Sequence, residues 1–114
     1  MENVIYNELL LRGFSVDVGI VEYNIKTADG KSKQLQLEVD FVAKRGSQRY
    51  YVQSAFAISS EEKHKQETKA FTRISDSFKK IVVVREDIIP WHDDNGVLYI
   101  GIEQFLLEEN SMEL

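Results

Sequence analysis

Between Gln34 and Lys44 the chain alternates apolar and polar residues with a period of two. Leu35, Leu37, Val39, Phe41 and Ala43 occupy one face, and Gln34, Gln36, Glu38, Asp40 and Lys44 the other. Val42 is the apolar residue out of phase. A period of two is incompatible with a helix and dictates a strand covered mainly on one side. Ala28-Asp29-Gly30-Lys31 before it and Arg45-Gly46-Ser47 after it are turn chemistry, because Asp-Gly and Gly readily take positive φ. The flanking runs must therefore fold back onto this strand. Phe14 to Tyr23 alternates in the same way (Phe14, Val16, Val18 and Ile20 against Ser15, Asp17, Gly19 and Val21). Arg49 to Ala57 is rich in aromatic residues, as strands often are. Three strands joined by tight turns predict an antiparallel meander.

Ahead of the meander, Ile5 and Leu9 are four apart and Val4 and Leu11 seven apart, the spacing of a helix, with Gly13 placed for a left-handed C-cap. A chain that begins almost inside a helix reads as a piece of something longer. After the meander, Ser59 or Ser60 caps a helix predicted through about Phe78, with Glu61 and Glu62 in its first turn and Phe71, Ile74 and Phe78 as its buried stripe. Lys80 to Arg85 brackets Ile81–Val84, a continuous apolar run that suits a strand buried on both faces. Pro90 ends regular structure. Asp94-Asn95-Gly96 turns into a short strand, Val97–Ile100, and a last helix is expected from Glu103 to about Glu109, with a fraying remainder. The strand–helix–strand unit over 49–85 implies a right-handed crossover to a parallel neighbour. The predicted whole is a single-domain α/β fold with one mixed sheet, spanning residues 1–114 in the order helix, three strands, helix, strand, strand, helix.

A chain of 114 residues with 43% apolar and 29% charged residues has the composition of one ordered domain. Absence of cysteine excludes disulfides, thiol catalysis and Cys-ligated zinc or iron–sulfur centres. No apolar run approaches the ~18 residues of a membrane span and no leader opens the chain, so a cytoplasmic protein without a membrane partner is expected. The chain holds no Gly-x-x-x-x-Gly-Lys-Ser/Thr motif, hence no P-loop of its own. The net charge of −5 is unevenly distributed: −3 over residues 1–25, +6 over 26–85 and −8 over 86–114. An acidic whole argues against indiscriminate nucleic-acid binding, while the basic middle allows a local positive face. Lys65, Lys69 and Arg73 recur at i, i+4 and i+8 on the predicted second helix and are the candidate nucleic-acid contacts. Glu61, four before Lys65, supports the reading of this stripe as the ordinary solvated face of a helix. His64 and His92 lack a second ligand at metal spacing, and Trp91-His92-Asp93-Asp94 lacks the oxygen pattern of a calcium loop.

Asp40 lies mid-strand on the polar face, Gln53 mid-strand in the neighbouring run, and Glu8 on the first helix near the face that must pack on the sheet. Carboxylates at strand centres are poorly favoured and costly to desolvate, so one found there often has a partner or an ion. Asp40, Gln53 and Glu8 together form a candidate magnesium-binding oxygen set. The plainer alternative has Asp40 and Glu38 facing water on a one-sided sheet.

Three stretches resemble a known family: Glu2-Asn3-Val4-Ile5-Tyr6-Asn7-Glu8-Leu9 with Arg12-Gly13-Phe14, Glu38-Val39-Asp40-Phe41-Val42-Ala43, and Tyr51-Val52-Gln53-Ser54-Ala55. They are similar to the C-terminal domain of unknown function carried by many bacterial and archaeal AAA-type ATPases, which in turn looks like the PD-(D/E)XK nuclease fold. The resemblance covers nearly the whole chain in the same element order. It implies a restriction-endonuclease-like sheet and an ATPase domain elsewhere in the full-length protein. It places the helix glutamate at Glu8, the metal-binding aspartate at Asp40 and the Glu/Gln-x-Lys element on Gln53-Ser54-Ala55. Ala55 stands where active nucleases keep a lysine, and an alanine supplies neither charge nor hydrogen bonds to an attacking water. This departure argues against catalysis and for a vestigial module that binds nucleic acid or a protein. Two alternatives are an active magnesium-dependent nuclease with its lysine relocated to Lys65 or Lys69, and a pure protein-interaction domain using Tyr50-Tyr51 and the acidic residues of 86–114. Held beside Glu8 without an ion, Asp40 would suffer like-charge repulsion, and Asp40→Asn would then stabilise the fold by about 1 kcal/mol.

Overall fold

Two glycine turns fold the alternating segment onto its neighbours. The computed structural model describes residues 1–55, 68–74 and 76–114. It contains α1 (Glu2–Leu11), β1 (Ser15–Lys26), β2 (Ser32–Arg45), β3 (Gln48–Ala55), β4 (Lys79–Val84), β5 (Trp91–His92), β6 (Leu98–Gly101) and α2 (Ile102–Leu107). The β1–β2 turn has Gly30 at φ 82°, and Asp29 accepts the Lys31 N–H. The β2–β3 turn is the two-residue loop Gly46-Ser47 with Gly46 at φ 60°, a glycine-first hairpin that matches strand twist. The described residues form one six-stranded mixed sheet ordered β1-β2-β3-β4-β6-β5. The predicted meander is present, β4 runs parallel to both β3 and β6, and β5 pairs antiparallel with β6.

Both faces of the sheet are covered. On the α1 side, Ile5, Leu9, Phe14, Phe41, Val52, Ile81, Val83 and Phe105 pack together. On the other, Val39, Val42, Tyr51, Ala55, Phe71, Val82, Val84 and Tyr99 do so. Ile81–Val84 alternate between the two layers at no more than 2% exposure, as the continuous apolar run implied. α1 ends as its sequence predicts. Gly13 at φ 87° lets its N–H reach Leu10 O and the Phe14 N–H reach Leu9 O, a Schellman closure.

A register shift changes the reading of β2. Asp17 pairs with Val42 and Gly19 with Val39, so Asp40 and Phe41 together oppose the single residue Val18. This is a β-bulge on β2, and it reverses the facing of everything beyond it. Leu37 and Val39 therefore join the layer away from α1 with Val42, while Phe41 and Ala43 join the α1 layer. The expected single apolar face is thus two half-faces. β1 stays regular, which leaves Val18 and Ile20 exposed rather than buried.

Other expectations are corrected. Val4 and Leu11 face outward from α1, because Ile5 and Leu9 alone meet the core. The start of the predicted second helix, with Glu61, His64 and Lys65, lies outside the described residues, as do Phe56 and Ala57. That helix does not continue to Phe78: Phe71–Arg73 is a 3-10 turn and Ile74 is extended, which leaves Phe78 39% exposed. The tail does not fray. Ser111 and Met112 are buried, and the Arg12 guanidinium donates to Ser111 Oγ, Phe105 O and Glu108 O. Tyr50 and Tyr51 are core residues of opposite layers, with hydroxyls held by Glu113 and Asp76, so they do not offer a free aromatic anchor. Among the described residues, no helix is long and apolar enough to cross a membrane.

Candidate functional site at the fork between two strands

The β2–β3 ladder stops at Phe41 and Val52, while β3 continues alone beside β4 through Ala55. Where two strands diverge, backbone donors lose their ladder acceptors, and a buried donor left unpaired is costly. Side chains supply the acceptors here. The Asp40 N–H donates to Gln53 Oε1 at 3.0 Å. The Ser54 N–H donates to Asp40 Oδ2 at 2.9 Å. Ser54 Oγ lies 2.9 Å from Asp40 Oδ2 and 3.3 Å from Glu2 Oε1, so its one proton lies between two carboxylates. The bulge creates this arrangement, since it displaces Asp40 from the backbone pairing with Gln53 that a regular register would give.

The structure therefore brings Asp40 and Gln53 together, although Gln53 meets the Asp40 backbone rather than its carboxylate. Glu8 is placed elsewhere. Its carboxylate pairs with Arg12 at 3.6 Å and lines a cavity of about 620 Å³ with Arg45, Leu106 and Met112. Glu2, six residues earlier and so about 9 Å back along the helix axis, is the acidic residue at the fork. Sequence reasoning missed Glu2. It shares with Glu8 a three-residue spacing from Ile5, and what separates the two is how far along β2 the helix sits, a tertiary fact.

Ala55 is 5% exposed among Val82, Val84, Phe71 and Tyr99 in the layer away from α1. Strand alternation puts it on the opposite face from Ser54 Oγ. Lys69 is exposed in a turn, and the Arg73 guanidinium stacks over Tyr23 of β1 at 4.2 Å. Lys69 and Arg73 thus do not lie on one helical stripe.

A magnesium ion requires near-octahedral oxygen ligands with open water positions. The set Glu8, Asp40 and Gln53 does not fit it. Glu8 is turned to Arg12, Gln53 Oε1 accepts the Asp40 N–H, and Asp40 Oδ2 is engaged by Ser54. Among the described residues, no group of three or more His, Cys, Asp or Glu side chains is placed to hold a metal ion. What the fork can do chemically is hold two strands together through a carboxylate.

No protein-family model and no solved structure matches the chain. The chain is similar to an uncharacterized protein of Haemophilus influenzae, 40% identical over 83 residues. The match takes in 73% of this chain but 17% of that protein, so the chain corresponds to a small part of its relative.

Proposed function

We propose that the chain is a non-catalytic module of nuclease-like fold, carried at the C-terminal end of a longer AAA-type ATPase, that binds nucleic acid or a protein beside it. The fold reading is supported by the helix-first order, the three-strand meander and the parallel β3–β4 pair. The nuclease-like segments Glu38–Ala43 and Tyr51–Ala55 meet at the fork, as such a fold requires. A match to a small part of a much longer relative fits a module within a larger protein.

The observation that carries the absence of catalysis is the environment of Ala55. The position where an active nuclease keeps lysine is a buried apolar site facing away from the Ser54–Asp40 contact. An alanine at that position brings no ammonium of its own to an attacking water. Incubation with plasmid and oligonucleotide DNA in magnesium or manganese is expected to leave the substrates intact. Cleavage that disappears in Asp40→Ala would overturn the proposal in favour of a metal-dependent nuclease.

A further inference from the structure

The strand ends farthest from the fork are basic. β2 closes on Lys44 and Arg45, β3 opens on Gln48 and Arg49, and β4 opens on Lys79 and Lys80. These strand ends carry five cations and no carboxylate, in a chain whose net charge is −5. Lys44 and Arg49 are register partners, so their side chains leave one face of the sheet with Cβ atoms about 5 Å apart. Alternation from Val42, Tyr51 and Val82 places Lys44, Arg49 and Lys80 on the face away from α1. Like charges directly opposite each other destabilise a sheet, and neither Lys44 nor Arg49 forms an ion pair among the described residues to offset this. Nearby carboxylates do not neutralise the two. Asp76 accepts from the Tyr51 hydroxyl and the Phe78 N–H and pairs with Lys80 at 3.8 Å. Asp17 is the ladder partner of Val42, two positions from Lys44, and Glu113 holds Tyr50 on the other face. Beside the two cations, the Arg49 guanidinium lies 5.2 Å over the ring of Phe78, which is 39% exposed.

We propose that this end of the sheet binds single-stranded nucleic acid, with a backbone phosphate between Lys44 and Arg49 and an unpaired base stacked on Phe78. A phosphate set between the two cations turns their repulsion into charge-assisted hydrogen bonds. An exposed ring beside cationic side chains suits unpaired bases, because a duplex keeps its base faces inside the stack. Lys80 Nζ donates to Asp76 O and Phe78 O, which holds the Phe78 turn against the sheet. Such binding rests on the nucleic-acid half of the function proposed above, and it uses a surface well removed from the fork. Arg49 lies five residues, about 17 Å, from Ser54 along β3.

Fluorescence anisotropy of a labelled oligothymidylate of about 12 nucleotides is expected to show binding that is tighter than to a duplex of the same length and weakens as salt rises. Lys44→Gln with Arg49→Gln is expected to lower the affinity about tenfold and to flatten the slope of log Kd against log salt by about 0.7–1.4. Phe78→Ala is expected to lower it about tenfold with the slope unchanged. Lys31→Gln with Lys33→Gln removes the same charge from the far end of the β1–β2 hairpin and is expected to bind as wild type. Tighter binding to the duplex overturns the proposal, as does a Lys31, Lys33 variant that loses as much as the Lys44, Arg49 variant. In both cases the chain still binds nucleic acid and the wider function stands. No binding to either oligonucleotide overturns the proposal together with the nucleic-acid half of that function, and leaves the protein partner. Should the Lys44, Arg49 variant lose its circular dichroism spectrum, the exposed Lys44→Gln alone decides, and an unchanged salt slope there overturns the proposal.

Discussion

The Ser54 backbone N–H donates to Asp40 Oδ2 at 2.9 Å, across the gap where β2 and β3 part. A side-chain carboxylate thus stands where a ladder carbonyl would be in an unbroken sheet. The role of Asp40 follows from this contact rather than from a charge conflict with Glu8, which is paired to Arg12.

Asp40→Ala leaves the Ser54 N–H without its acceptor and is expected to destabilise the fold by about 1–3 kcal/mol. Asp40→Asn keeps an acceptor oxygen and loses only the assistance of the charge, so its cost is expected to be smaller, about 1 kcal/mol. Both replace the stabilisation anticipated from the sequence. Urea denaturation of the two variants checks the order, and an Asp40→Asn chain more stable than wild type would count against the fork as described.

Arg12 is the second residue whose removal should be felt across the molecule. Its guanidinium holds three acceptors of the C-terminal segment, stacks 5.0 Å over the Phe105 ring and faces Glu8. Arg12→Ala is expected to cost about 3 kcal/mol and to raise hydrogen exchange over residues 105–113. Lysine has no planar fork to span three acceptors, so Arg12→Lys is expected to recover less than half of that loss. Denaturant midpoints together with exchange rates test both statements.

These two residues mark what the sequence discloses and what it does not. The Asp29-Gly30 and Gly46-Ser47 turns, the Gly13 cap and the Ile81–Val84 strand are set by local chemistry, and each sits where the residues put it. The bulge at Asp40 and Phe41 is invisible in the alternation, because the apolar period runs straight through it and only pairing with β1 reveals the shift. The burial of the tail is hidden in the sequence for a similar reason. Ser111 and Met112 show no periodicity, and their burial depends on Arg12, about a hundred positions away in the chain. β5 is two residues long, and its Trp91 gains its place by stacking on Tyr99 at 4.1 Å. Glu2 rather than Glu8 reaches the fork because helix position along the strand is a matter of packing.

Stability should fall at alkaline pH. Burial, and then the hydrogen bond to the Glu113 carboxylate, push the Tyr50 hydroxyl up from its usual 10.0 to about 12. Between those values the unfolded chain releases this proton and the folded chain keeps it, so the folded state binds more protons and loses ground as pH rises. The contribution is complete below about pH 10 and is lost as pH passes through about 12. Tyr50→Phe is expected to flatten this slope without abolishing it, since burial also raises Tyr51 and Tyr99. Denaturant midpoints over roughly pH 8 to 12, with tyrosinate absorbance followed in parallel, measure it.

Ala55 stands at the position where the nucleases that this chain resembles carry a lysine. If an alanine alone separated this chain from an active nuclease, Ala55→Lys would restore cleavage. The packing argues otherwise. Ala55 lies against Val82, Val84 and Phe71 in the layer away from α1, and its neighbour Ser54 makes the contact with Asp40. A lysine stem there would overpack a filled layer, at a cost of about 1–3 kcal/mol. Its ammonium would lose water among the apolar side chains of that layer, which adds several kcal/mol or drives it neutral. Ala55→Lys is therefore expected to lower the denaturation midpoint sharply and to leave DNA uncut in magnesium or manganese. A folded Ala55→Lys chain that cleaves DNA, and stops doing so when Asp40→Ala is added, would show that residue 55 reaches the fork after all.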